Sequence, residues 1–153
     1  MDFLTMGCWA QKHPDAGSLV TLFMGGNGIG GGMVINGQLW TGASGYCSEV
    51  GFLPVYERLN KGSLGLPPAE HISELYARLI QIYAVTVNPH MMVLYRHPLL
   101  EGRLDEIRRL CASYLPSKAI PSIELSYDYQ QDYEKGLFTV AKSMGQAVSE
   151  GGL

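Results

Sequence analysis

The sequence predicts an α/β domain, a mixed sheet with helices packed on it, and three observations carry that prediction. Two apolar, β-rich runs at 19–24 and 33–35 are linked through a glycine cluster, and the turn dipeptide Asn36-Gly37 follows them. A broad apolar stripe at Ile72, Leu75, Tyr76, Leu79, Ile80 and Tyr83 has the spacing of one helix face. Strand-like runs at 91–95 and 120–126 then alternate with helical patterns at 102–115 and 132–148. Hairpin-linked strands pair antiparallel, whereas strands separated by a helix pair parallel, so the sheet is mixed.

The chain has 153 residues, 46% of them hydrophobic, which suits one domain over 1–153 with a real core. A formal net charge of −3 and no basic run argue against a nucleic-acid surface. Cys8, Cys47 and Cys111 form no CxxC pair and are odd in number, which suits reduced thiols in the cytoplasm rather than a disulfide framework or a metal site. No basic n-region precedes an apolar stretch, and no apolar run is long enough to span a membrane.

In order, residues 3–12 have a loose helical pattern, and His13-Pro14-Asp15-Ala16-Gly17 makes a turn. Strand 19–24 runs into the cluster at 25–32, and Asn36-Gly37 between apolar runs is a strong hairpin signal, because both residues tolerate φ > 0. A third strand starts near Gln38. The ten glycines from Gly25 to Gly51 each cost entropy to order. That cost is justified by sharp bends or by close approach of a ligand. A phosphate is one candidate, since successive exposed N–H groups form an anion-binding nest; a glycine-rich hairpin tip needed only for strand geometry is the other. The spacing is neither a dinucleotide fingerprint nor a Walker A loop.

Pro67-Pro68-Ala69-Glu70 opens the helix of the apolar stripe, which serves as core or as a dimer surface. Asn88-Pro89 ends it. His71, His90 and His97 form no ligand cluster. Arg96 reads as a surface residue with phosphate contact as the alternative, and 127–133, polar and aromatic, reads as a surface loop. Glu49 is the only charged residue between Asp15 and Glu57. Unpaired burial of a carboxylate is expensive, so Glu49 is either exposed or hydrogen-bonded.

The stretch 19–55 resembles the ROK family of repressors, open reading frames and sugar kinases. The matching residues are Gly26-Asn27-Gly28-Ile29-Gly30-Gly31-Gly32, Asn36-Gly37-Gln38-Leu39, and Gly42-Ala43-Ser44-Gly45-Tyr46-Cys47-Ser48-Glu49-Val50-Gly51-Phe52-Leu53-Pro54. The resemblance implies an actin-like ATPase (ribonuclease H-like) fold. It implies that Gly26, Asn27, Gly28 and Gly30 contact nucleotide phosphate and that Glu49 binds sugar hydroxyls. ATP with Mg²⁺ would be the cofactor of an intact parent protein, and a homodimer its assembly.

The departures from the family pattern matter equally. Aligned on Gly7, Met1-Asp2 fall on the last two positions of the family's N-D-x-N, which places the catalytic Asp immediately before Met1. The expectation is therefore a carboxy-terminal half with its amino-terminal half absent and no catalytic residue of its own. Asp2, on the Asn position, reads as a solvated charge. The family's histidine after the Glu-x-Gly motif is Phe52 here, and no cysteine lies in 56–65, so no zinc is expected. The family's glycines after the strand at 91–95 are replaced by Tyr95-Arg96-His97-Pro98, whose bulk would crowd an adenosine. Three functions remain: a sugar kinase domain, the sugar-sensing and dimerisation domain of a transcriptional regulator, or a non-catalytic domain that dimerises through the stripe at 72–83.

Overall fold

The computed structural model describes residues 1–59 and 66–150. Its elements are α1 (Asp2–Lys12), β1 (Ser18–Gly25), β2 (Gly28–Ile35), β3 (Gln38–Leu39), α2 (Pro54–Leu59), α3 (Ile72–Thr86), β4 (Met91–Tyr95), α4 (Leu104–Tyr114), β5 (Ser122–Ser126) and α5 (Tyr129–Glu150). The sheet order is β3-β2-β1-β4-β5. β1, β2 and β3 pair antiparallel, while β4 runs parallel to both β1 and β5.

Strand alternation divides the core into two layers. Val20, Leu22, Met24, Met92 and Leu94 face the stripe of α3 and the inner side of α4, where Ile107 and Cys111 sit. Leu19, Val93 and Tyr95 point the other way, against Leu4 and Cys8 of α1. The stripe from Ile72 to Tyr83 is buried within the chain. Of the two readings of the stripe, core or dimer surface, it is core. A strand covered on both faces is apolar throughout, which is why 19–24 and 91–95 show no polar alternation.

The turns follow the expected chemistry. Asn36 and Gly37 take φ of 50° and 76°, both left-handed, as the tight turn between β2 and β3 requires. Asn88, at φ 51°, turns the chain out of α3 toward β4.

The last helix differs from the sequence expectation. It begins at Tyr129, so most of 127–133 is helix and not surface loop. The Tyr129 ring stacks on Phe23 at 4.6 Å and on Tyr133 at 6.1 Å. Asp132 is 0% exposed. Its carboxylate accepts hydrogen bonds from Tyr95 Oη (2.6 Å), Lys12 Nζ (2.8 Å) and Gln11 Nε2 (3.1 Å). Lys12 also donates to Ser126 Oγ and pairs with Asp128. A buried carboxylate with one cation and two further donors is satisfied, so its desolvation is offset. Helix α2 was not expected, the strand read at 120–126 starts only at Ser122, and the Gly151-Gly152 tail and residues 60–65 of the cysteine-free stretch lie outside the described residues.

Helices α1 and α5 touch backbone to backbone. A Cβ at Gly7 would overlap the Asp132 carbonyl, and one at Gly136 would overlap the Phe3 carbonyl. Gly7→Ala or Gly136→Ala should therefore destabilise by roughly 3 kcal/mol or prevent folding, since backbone cannot give way as a side chain can. Gly145, in the same helix with open space around it, is the contrast: Gly145→Ala should be stabilising by up to about 1 kcal/mol. Urea unfolding of the variants checks both.

The same layer makes the protein sensitive to alkali. Burial pushes the Cys8 thiol up to about 11 from 9.0. Burial also raises Tyr95. For Lys12, desolvation pulls the pKa down, but the bonds to Asp132 and Asp128 outweigh it and the net shift is upward. Groups whose folded pKa is raised contribute stability below their unfolded pKa and lose it as pH rises through the folded value. Urea midpoints should hold to about pH 9 and then fall, with Cys8 alone accounting for roughly 3 kcal/mol across its window. In Cys8→Ala the fall between pH 9 and 11 should be shallower.

Candidate functional site

The residues singled out from the sequence lie along β2 and the loop that follows β3. Gly25 pairs with Gly28 across the two-residue turn Gly26-Asn27. Gly28 has φ 117°, a conformation that a side chain would strain. Gly26 and Asn27 are exposed, and a Cβ on Gly26 would meet nothing within 4 Å. A Cβ on Gly30 would lie 2.8 Å from Met1 Cγ. Strand geometry thus accounts for Gly28 and packing for Gly30. The turn at Gly26-Asn27 is the part left open to solvent. Below it, the Ile29 amide donates to Tyr56 Oη at 3.2 Å and ties α2 to β2.

Glu49 sits in a loop built from successive tight turns. Gly42 and Gly45 are left-handed, and so is Ser48, at φ 68°, which is uncommon for a residue with a side chain. The Glu49 amide donates to the Tyr46 carbonyl (3.3 Å), and the Phe52 amide donates to the Glu49 carbonyl (3.1 Å). The Glu49 side chain caps no helix end. It is exposed, and among the described residues its carboxylate has neither a hydrogen-bond nor an ion-pair partner.

Glu49 lies on the wall of a cleft of about 160 Å³ with Tyr46, Ser48, Val50, Leu53, Ile82 and Tyr83. Beyond Ile82 a wider pocket of about 450 Å³ is lined by Pro54, Val55, Arg58, Arg78 and Gln81. Burial pushes the Tyr83 hydroxyl up to about 12 while its bond to Ser48 pulls the other way, so it stays protonated at neutral pH. The cleft joins the glycine strand at Gly31. A Cβ there would be 2.8 Å from both the Ser48 carbonyl and Tyr83 Oη. Gly31 is roughly 10 Å along the strand from Gly28, so the turn and Glu49 share one strand without touching.

The remaining polar candidates are occupied by structural contacts. Arg96 is exposed and donates from Nε and Nη2 to Glu101, at 3.1 and 2.6 Å. His90 bonds Ser18 through Nδ1, and His97 Nδ1 accepts from the Leu99 amide. Among the described residues no group of three or more His, Cys, Asp or Glu side chains is placed to hold a metal ion, and no helix is long and apolar enough to cross a membrane. Sequence reasoning missed Tyr83 and Tyr46 as cleft residues. Tyr83 was legible only as the last position of an apolar stripe, and its hydroxyl at the end nearest the loop was the one available hint.

No protein-family model matches the sequence, and no curated protein matches it either. Solved structures do match in three dimensions. A ROK hexokinase from Thermus thermophilus superposes with TM-score 0.66 at 15% identity, covering 93% of this chain and 64% of that one. A ROK family protein from Streptococcus pneumoniae TIGR4, solved in complex with sucrose, gives 0.67 at 15% identity, covering 95% of this chain and 65% of that one. The Listeria monocytogenes protein Lmo2764, proposed to be an N-acetylmannosamine kinase, gives 0.68 at 15% identity, with 94% and 64% covered. The fold is the actin-like ATPase fold. This chain spans just under two thirds of the length of each of these proteins.

Because β2 meets the Glu49 loop at Gly31, Gly31→Ala should push Ser48 and Tyr83 apart. A loss of about 1–3 kcal/mol in stability is expected, together with a changed Tyr83 environment in near-ultraviolet circular dichroism. An unchanged spectrum and midpoint would contradict the contact.

Proposed function

We propose that this chain is the carboxy-terminal domain of a ROK-type, sugar kinase-like protein, in which Glu49 binds sugar hydroxyls and the backbone at Gly26, Asn27, Gly28 and Gly30 receives nucleotide phosphate. The observation that carries the reading is the Glu49 carboxylate, unpartnered among the described residues on the wall of a cleft, in a fold whose solved neighbours include sugar kinases. A carboxylate accepts through two oxygens, and bonds from hydroxyls to a charged acceptor are among the stronger ones. The open turn at Gly26-Asn27 suits an anion approaching backbone amides. ATP with Mg²⁺ would supply the phosphoryl group, and this chain's contribution would be to hold the acceptor sugar and fix its orientation. No residue of the chain is assigned as the general base. We infer that the isolated domain binds without turning over, in the cytoplasm.

A second reading, the sugar-sensing domain of a transcriptional regulator, is favoured by one feature. The segment after β4 is filled by Arg96 clasped to Glu101 and by His97 on the Leu99 amide, where an adenosine would need room.

Calorimetric titration with hexoses, N-acetylhexosamines and Mg-ATP tests both readings. Sugar should bind, and Glu49→Gln should weaken it by roughly ten- to a hundredfold while leaving ATP binding unchanged. Sugar binding without any nucleotide binding selects the regulator. A wild-type chain that binds no sugar, or a variant that binds it equally well, overturns the assignment of Glu49.

A further inference from the structure

The loop that carries Glu49 also displays two large aromatic rings to solvent. Tyr46 is 69% exposed and Phe52 is 77% exposed. Burying such a side chain typically stabilises by about 1.5–3 kcal/mol, and here that gain is forgone twice within seven residues. The rings are not scattered. Their centroids are 6.2 Å apart at an interplanar angle of 59°. Glu49 lies between them in the chain, hydrogen-bonded through its backbone to both residues. Left-handed Gly42, Gly45 and Ser48 set the path of the loop, and Ser48 packs with Tyr83 Oη over Gly31, so the rings are presented on a constrained backbone. Trp40 and Phe138 are also exposed, but among the described residues neither has a ring partner of this kind beside an unpartnered carboxylate.

A pyranose has two chemically different sides. Its hydroxyl edge wants charged or polar acceptors, while its clustered C–H groups make an apolar patch that suits the negative face of an aromatic ring. We propose that Tyr46 and Phe52 form a stacking platform for the C–H face of a pyranose whose hydroxyls are held by Glu49, so that the site selects cyclic sugars over open-chain polyols. This rests on the reading of Glu49 as a sugar ligand and adds the class of substrate. Tyr46 lines the cleft itself, and the tilted Phe52 ring, 6.2 Å from it, stands beside Tyr46 rather than in the cleft lining.

The test compares the affinity of the 153-residue chain for galactose, a pyranose with a well-developed C–H face, and for galactitol, the matching open-chain alcohol. Wild type should prefer galactose. Tyr46→Ala and Phe52→Ala should each weaken galactose binding by roughly three- to tenfold, the scale of an aromatic contact, and leave galactitol binding unchanged. Tyr46→Phe should bind like wild type, and Glu49→Gln should weaken both ligands. Both residues are exposed, so these substitutions should leave the fold intact, and an unchanged thermal midpoint verifies that. If neither alanine variant affects galactose while Glu49→Gln does, the platform is wrong and the Glu49 assignment stands. If the alanine variants weaken both ligands equally, the rings only shape the loop and the platform is wrong. If wild type binds neither ligand, both readings fall.

Discussion

The structure depends on the backbone contact between α1 and α5. Gly7 and Gly136 each leave room for a carbonyl of the opposite helix, and this brings the helices close enough for Lys12 and Gln11 to reach Asp132, which is fully buried. The ion pair follows from the glycines. At the ordinary interaxial distance of about 8–10 Å, a carboxylate at 132 would be left with fewer donors and a large desolvation cost. Tyr95, at the end of β4, completes the acceptor's shell. One close approach therefore fixes a helix pair, a strand end and a buried charge together.

The other face of the sheet is simpler and apolar. There α3 and α4 cover β1 and β4 with aliphatic side chains together with Tyr76, Tyr83 and Cys111. The glycine strand β2 lies beside β1, where missing side chains let neighbours come near: Thr5 over Gly32, and Ser48 with Tyr83 over Gly31. Thr5 and Thr21 share a hydrogen bond of 2.6 Å in that space. The absent side chains of β2 therefore serve the packing of α1 and of the Glu49 loop, and the turn at Gly26-Asn27 stays open to solvent.

Much of this was legible in the sequence, for identifiable reasons. Asn36-Gly37 demands its turn through local sterics, β4 is a continuous apolar run between a helix breaker and a polar segment, and α3 has a stripe too regular to mistake. Each signal is local. Asp132 was hidden because its cation is Lys12, far away in the chain, and because a stretch rich in Tyr, Gln and Asp has the composition of a surface loop. Gly7 and Gly136 carry no periodic signature. Isolation among uncharged neighbours left Glu49 either exposed or hydrogen-bonded, and the structure has it exposed. That its loop folds into a cleft with Tyr83 depends on Gly31 and Ser48, whose left-handed backbone no propensity foretells.

The contact between Gly7 and Gly136 joins helices far apart in the sequence, and this bears on how the domain acquires its shape during synthesis. Helix α1 leaves the ribosome well before α5. Until α5 emerges, Lys12 lacks Asp132 and the Tyr95 hydroxyl lacks its acceptor. The α3–α4 side can assemble earlier from neighbouring segments, but the α1 side closes only after loop closure across most of the sequence, a slow kind of contact. Between those two steps the sheet has one covered face and one bare face, the kind of exposed apolar surface that favours association during folding.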